Sequence, residues 1–354
     1  MPRIDTLLGR ARQMGASDLH LSGGSPPMLR MLGDLKRVDG PPLAESDVEG
    51  LLLEILEPAQ RKELEERQSV DLAYEVPSAG RYRGNVFRAR GGLNGIFRMI
   101  PLRVPTIDSL VLPAKVKEFV SFPHGLVLVT GPAGQGKTCT LAALIKLINE
   151  STAKHILTIE DPIEFIHPRG HSLVNQRAVR RDTEGFASAL RAALREDPDV
   201  IMIGELRDQE TISNAIRAAE TGHLVFGTLM TTSAHKTVDR IIDAYPANQQ
   251  AQVRTMLSES LRAIVSQKLV RNTEGRAMVA ATEILIATPP VANLIREAKT
   301  FQIPSVLQTG RALGMHRLEE SLRDLVKLNA ITAEAALEKA NDPRTLRELL
   351  GMRP

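Results

Sequence analysis

The run Gly131-Pro132-Ala133-Gly134-Gln135-Gly136-Lys137-Thr138 places glycine, lysine and threonine at the spacing G-x-x-x-x-G-K-T. An apolar run over residues 126–130 precedes it and a helical pattern opening near Lys137 follows it. Glycines let the backbone curl so that successive N–H groups face one centre, where they can hold phosphate oxygens. A helix N-terminus adds its partial positive charge at the same point. Lys137 can reach a β- or γ-phosphate, and the Thr138 hydroxyl can ligate Mg²⁺. A chance glycine-rich turn with this pattern is expected in about one chain in a hundred of this length. The strand-before, helix-after context makes that origin rarer still, so the expected ligands are ATP and Mg²⁺. Cys139 closes the nucleotide-binding run, one turn into the helix, as a small packed residue.

Two further runs end apolar strands in carboxylates. Asp199-Val-Ile-Met-Ile-Gly-Glu205 puts Glu205 beyond a strand's carboxyl end, where ligands bind in open parallel sheets. There it can organise Mg²⁺ or its water. Thr158-Ile-Glu-Asp-Pro-Ile-Glu164 holds three carboxylates in five residues, a costly cluster unless a cation or a polarised water uses it. Glu160 is the candidate for polarising an attacking water, with Asp161 and Glu164 in support; the bland alternative is a solvated acidic turn. A fourth signal is basic: Arg81-Tyr-Arg83-Gly-Asn-Val-Phe-Arg88, with Arg98 on the next strand. Charge runs mostly mark a solvated face. A first domain that swings against a nucleotide core can instead deliver Arg83 and Arg98 to a γ-phosphate, where an arginine finger is worth about 10³–10⁵ in rate.

Those residues need elements to hold them. After three prolines, Pro101, Pro105 and Pro113, strands at 126–130, 155–160, 200–204 and 223–228 alternate with helices opening near Lys137, Thr183, Gln209 and Ser233. That is the pattern of an α/β parallel sheet with crossover helices. Beyond Pro289 the pattern is helical to the end, with a cap signal at Asn341-Asp342-Pro343. Before the prolines, strand-like runs at 17–21, 70–75, 81–88 and 95–100 and one helical stretch over 45–67 describe a small α+β domain. The expected division is therefore 1–100, a linker at 101–113, and a core from 114 to 354 with C-terminal helices from about 289.

Composition limits the alternatives. With 43% apolar and 25% charged residues the chain is globular in type. Its longest apolar runs are far short of a bilayer span, and its first residues lack a secretory h-region, so membrane contact is expected through a partner. One cysteine excludes an intrachain disulfide and a cysteine zinc site, and suits a reducing cytoplasm. His124, His167 and His171 lack metal-site spacing. A net charge of +3, with bases interspersed among acids, disfavours nucleic acid as partner.

Taken together, the motifs resemble the secretion and pilus ATPases, most of all the PilT family of pilus retraction motors. Gly15-Ala-Ser-Asp-Leu-His-Leu-Ser22 looks like that family's opening motif, and residues 158–164 are similar to its aspartate box. Residues 194–208 resemble its Walker B region, 219–229 its histidine box with His223, and 236–243 the following helix with Arg240. The resemblance implies a PAS-like N-terminal domain, a RecA-like P-loop NTPase core and a homohexameric ring. It also implies Arg83, Arg98, Arg240 and His223 near the phosphates. An inner-membrane pilus platform protein and a paralogous retraction ATPase are the implied partners, with the chain cytoplasmic and peripheral at that membrane. Three residues depart from the family pattern. Met230 stands where a second histidine is usual, Ala292 where an arginine is usual, and Gln135 where serine is usual. Rival readings are a pilus-extension or type II secretion ATPase, a weakly active or non-catalytic accessory paralogue, and a DNA translocase. The first usually carries a four-cysteine zinc motif that one cysteine cannot supply.

Overall fold

Two stretches of regular alternation separated by prolines fold into two compact units. The structure, a computed structural model, describes residues 2–352. One unit holds the chain up to Arg103 together with Pro162–Ile166; the other holds Val104–Asp161 and the chain from His167 onward.

In the first unit the elements are α1 (Ile4–Gln13), β1 (Asp18–Leu21), β2 (Met28–Met31), β3 (Asp34–Arg37), α2 (Glu45–Leu53), α3 (Pro58–Arg67), β4 (Ser69–Val76), β5 (Gly80–Ala89) and β6 (Gly92–Met99). They build an antiparallel sheet in the order β3-β2-β1-β6-β5-β4. Leu19, Leu52, Val86 and Phe97 meet in its core at 1% exposure or less. The helical stretch expected over 45–67 is broken into α2 and α3. Pro58 lacks an N–H and forces Glu57 into an extended conformation (φ −67°, ψ 158°), so one helix ends and another starts. Gln60 then reaches back to the Glu57 N–H at 3.0 Å, which closes a capping box.

The second unit contributes β7 (Gly125–Thr130), α4 (Lys137–Ser151), β8 (His155–Glu160), β9 (Leu173–Ala178), α5 (Phe186–Ala193), β10 (Val200–Ile203), α6 (Gln209–Glu220), β11 (Leu224–Leu229), α7 (Ala234–Ile242), α8 (Ala247–Ser260), β12 (Leu261–Arg271) and β13 (Met278–Ile286). The sheet order is β13-β12-β7-β11-β10-β8-β9, parallel except for β13, which pairs antiparallel with β12. β7, β10 and β11 are buried along their whole length, because helices cover both faces. Sequence alternation finds the central strands and leaves out β9, β12 and β13. β12 escapes because Arg262, Ser266, Gln267 and Lys268 interrupt its apolar run. Among the described residues no helix is long and apolar enough to cross a membrane.

After β13 come α9 (Pro289–Arg296), α10 (Ile303–Thr309), α11 (Leu318–Lys327), α12 (Ala333–Lys339) and α13 (Pro343–Leu350). Asp342 caps α13 by accepting from the Arg344 and Thr345 N–H groups, with Pro343 in the first turn. The last three helices close over β12 and β13 around Val270, Ala281, Leu322 and Leu346. Two buried carboxylates fasten this region. Glu319 accepts from the Asn341 and Asp342 N–H groups at 3.0 Å each, and Asn341 in turn donates to the Thr232 carbonyl. Glu283, on β13, accepts from the Ala234 N–H at 2.6 Å and so holds the start of α7.

Burial pushes the Glu283 carboxyl up to about 7 against the pull of its backbone donors. A folded-state value above the unfolded one means that the unfolded chain releases this proton first as pH rises. Stability from this site is therefore full below about pH 4.5 and is lost as pH rises towards 7. In the Glu283→Gln variant no proton is left to lose. The melting temperature of the variant relative to wild type is expected to be several degrees higher at pH 8 than at pH 5. An equal offset at both pH values would show that Glu283 does not titrate there.

Candidate active site

β7 runs in the middle of the sheet, between β11 and β12, and its carboxyl end releases the chain into the loop 131–136. Pairing of β12 with β7 ends at Ser266 and Thr130, whose hydroxyls meet at 2.7 Å. Beyond that point β12 is paired with β13 alone, and the loop lies against the edge that β7 has left. Gly131 has φ +149°, and a Cβ there would stand 2.5 Å from the Gln267 carbonyl oxygen. Gly136, at φ +79°, caps α4, and its added Cβ would crowd the Gln267 amide at 3.1 Å. These are backbone shapes and approaches that side chains do not tolerate.

Two glutamines bind the loop to that edge. The Gln135 side-chain oxygen accepts from the Leu269 N–H at 2.6 Å, where a neighbouring strand would otherwise have supplied the acceptor. Gln267, 2% exposed, donates through its amide to the Gln135 carbonyl and accepts from the buried Thr140 hydroxyl at 2.9 Å. Gln135, a departure from the family pattern in sequence, is thus a structural tie. Gln267 is a site residue that motif reading misses, since a glutamine inside an unrecognised strand carries no signal.

Lys137 folds over the loop, its ammonium donating to the Gly131 and Pro132 carbonyls at 2.7 and 2.9 Å. Burial lowers its pKa, and the nearby Glu205 carboxylate offsets part of that. Thr138 and Cys139 follow in the first turn of α4, both half-buried. Together the curled loop, the α4 N-terminus, the lysine and the threonine fit a nucleotide's phosphates.

The carboxylates sit on the same edge. Glu160 ends β8 and is 5% exposed; its Oε1 accepts from Thr158 Oγ1 at 2.7 Å and from Gln176 Nε2 at 3.2 Å. Glu205 follows β10, where Gly204 packs so closely that a Cβ would lie 3.4 Å from the Glu160 Cα. The register of this stretch comes from β11: Leu206 N–H bonds the Thr228 carbonyl, and the Thr228 hydroxyl bonds the Gly204 carbonyl at 2.6 Å. Glu205 also accepts from Arg207 at 2.7 Å. Among the described residues no group of three or more acidic, cysteine or histidine side chains forms a metal cluster. Thr138 and Glu205 would fit Mg²⁺ only as part of a shell completed by phosphate and water oxygens.

Other expectations need correction. The three acids of 158–164 do not act as one cluster: Asp161 pairs with Arg180 at 3.6 Å, and Glu164 lies in the first unit and pairs with Arg83 at 3.4 Å. Glu160 itself accepts from Thr158 and Gln176. His223 precedes β11 and hydrogen-bonds the Ala218 carbonyl. Six parallel residues therefore separate it from the edge that carries the loop, about 20 Å along the strand. Within one chain His223 does not join the carboxylates. Met230, by contrast, directly follows β11 and is exposed.

The arginines of the first unit form a row across three strands. Arg83 stands opposite Arg98, and Arg98 opposite Asp18, with Arg98 Nε bonding the buried Asp18 carboxylate at 2.9 Å. Directly opposed like charges cost stability on a sheet, and here each arginine has a carboxylate partner, Glu164 for Arg83 and Asp18 for Arg98. Arg240, in the last turn of α7, is exposed.

Residues 112–349 match the family described as "Type II/IV secretion system protein". The protein named "Type IV pilus retractation ATPase PilT" of Pseudomonas aeruginosa is 52% identical over 340 residues, covering 96% of this chain and 98% of that protein. The "Twitching motility protein" of Neisseria gonorrhoeae is 49% identical over 320 residues, 90% of this chain and 86% of that protein. Among solved structures, the pilus retraction motor PilT with bound ADP superposes with a TM-score of 0.86 at 45% identity. The match covers 98% of this chain and 99% of the other. The second unit is accordingly a mixed α/β RecA-like core with C-terminal helices.

The two glutamine ties should differ in cost. Gln267→Leu leaves the buried Thr140 hydroxyl without its acceptor, a loss of about 1–3 kcal/mol. Gln135→Ser frees a Leu269 N–H that water can reach, a loss of about 0.5–1.5 kcal/mol. Urea midpoints should fall in that order; equal midpoints for both variants and wild type would deny the ties any part in holding the loop.

Proposed function

The chain belongs to the type II/IV secretion system protein family, and on that premise we propose that it is an ATP-hydrolysing motor powering type IV pilus retraction. The observation that carries the reading is the edge on which a phosphate cradle, Lys137, Glu205 and the buried Glu160 converge. Relatives of nearly equal length named for pilus retraction and twitching motility support the choice of retraction.

In this reading the loop N–H groups hold the phosphates, and Lys137 exchanges the Gly131 and Pro132 carbonyls for phosphate oxygens. Thr138 and Glu205 would hold Mg²⁺, which when bound neutralises charge on the phosphates. Glu160 orients a water and takes its proton as the oxygen attacks the γ-phosphorus and the bond from that phosphorus to the β–γ bridging oxygen breaks, leaving ADP and phosphate. Arg83, Arg98 and Arg240 supply guanidinium charge at the phosphates in the assembled ring. The proposed ring is a homohexamer whose PAS-like N-terminal domains move with each turnover. It works in the cytoplasm against an inner-membrane platform protein, with no part for nucleic acid. A second reading, an accessory paralogue of a main retraction motor, draws on Met230 and Ala292. A thioether donates no hydrogen bond, and an alanine offers none of the five donors of an arginine.

Lys137→Ala should abolish ATP turnover while leaving the chain folded, since the glutamine ties that hold the loop to β12 remain. Complementation of a strain lacking its retraction motor should restore twitching with the wild-type chain and fail with Lys137→Ala; wild-type turnover by that variant would sink the assignment. The paralogue reading has its own test. Met230→His combined with Ala292→Arg should raise twitching in the same strain more than it raises bulk ATPase rate. Full twitching by the unmodified chain, with no gain from the pair, would remove it.

A further inference from the structure

We infer that Gln176 is a positioning residue for the Glu160 carboxylate, so that the edge strand β9 sets the aim of the water-polarising group. The inference rests on the reading of Glu160 given above. Gln176 lies directly opposite Thr158 in the β8–β9 pairing, and Glu160 is two residues beyond Thr158 on the same face. Both neighbours donate to the same oxygen of Glu160, Thr158 at 2.7 Å and Gln176 at 3.2 Å. A glutamine amide could present either end to that carboxylate. Here its carbonyl end is committed, because Gln176 Oε1 accepts from the His167 backbone N–H at 3.0 Å. The NH₂ end is therefore the one turned to Glu160, which a carboxylate requires.

The arrangement does more than satisfy polar groups. Glu160 is 5% exposed, so bulk water contributes little to orienting it, and the donors on its Oε1 restrain the rotation of the carboxylate plane. A group that must line up a water against a phosphorus loses rate steeply with small misplacement. On an edge strand flanked by exposed Leu173 and Asn175, a β-branched residue would serve the sheet as well as glutamine. Its amide instead donates to Glu160 and accepts from the His167 N–H. Replacing the donor weakens the ionised form of the carboxylate, which moves its titration to higher pH.

The test compares steady-state ATP hydrolysis by the full chain across pH for wild type, Gln176→Met, Gln176→Glu and Glu160→Gln. Gln176→Met keeps the length and removes the donor; kcat should fall about tenfold to a hundredfold, with KM changed less than about threefold. The acid limb of its kcat profile should move to higher pH. Gln176→Glu keeps an acceptor for the His167 N–H, which guards the local fold, but opposes two carboxylates, so its acid limb should move further. Glu160→Gln should be nearly inactive. If Glu160→Gln is inactive while both Gln176 variants keep the wild-type kcat and acid limb, this inference fails and the reading of Glu160 stands. A lower kcat in both Gln176 variants with an unmoved acid limb would reduce Gln176 to a structural part and likewise overturn it. Substantial turnover by Glu160→Gln would remove the premise and the inference with it.

Discussion

Parallel strands can be joined only by crossovers, so all six parallel strands of the core must release their chains at one edge. Every candidate group of the core depends on that constraint. The phosphate loop, Glu205 and Met230 each follow a strand and Glu160 ends one, so they arrive together; His223 precedes a strand and is carried to the far edge. The central place of β7 adds the second condition. With β11 on one side and an overlong β12 on the other, the loop has a backbone wall to rest on.

How much of this could be read from the chain follows the range of the interactions involved. The loop motif is local, and Glu160 and Glu205 close apolar runs, so all three are legible without a structure. Pro58 lies inside a helical pattern and still ends it, because the clash it imposes on Glu57 outweighs the apolar spacing. The row Asp18, Arg98, Arg83 is visible as residue types, but its pairing depends on the register of three strands brought from far apart in sequence. β12 was hidden for a related reason. Ser266, Gln267 and Lys268 look like interruptions until their partners Thr130, Thr140 and Asn341 are known. The acids at 158–164 misled by adjacency: neighbours in sequence were parted between two units.

Three glutamines carry much of the unseen organisation. Gln135 and Gln267 hold the loop, and Gln176 holds Glu160. The amide suits this work because it donates and accepts while adding no net charge. A lysine or glutamate in the same places would distort the field that anchors phosphates and would resist burial. Neutral ties add no charge beside Lys137 and the nearby Glu205. The two acids fastening the C-terminal region, Glu283 and Glu319, work instead by accepting from backbone N–H groups at helix starts.

One of these ties gives the loop a reporter inside the sheet. Hydrogens of strand amides are traded with solvent only when their partner moves away. Most amides of β12 wait on a neighbouring strand, but that of Leu269 waits on the side chain of Gln135. Its exchange therefore counts the excursions of the phosphate loop rather than the breathing of the sheet, and a single proton in β12 keeps time for the loop.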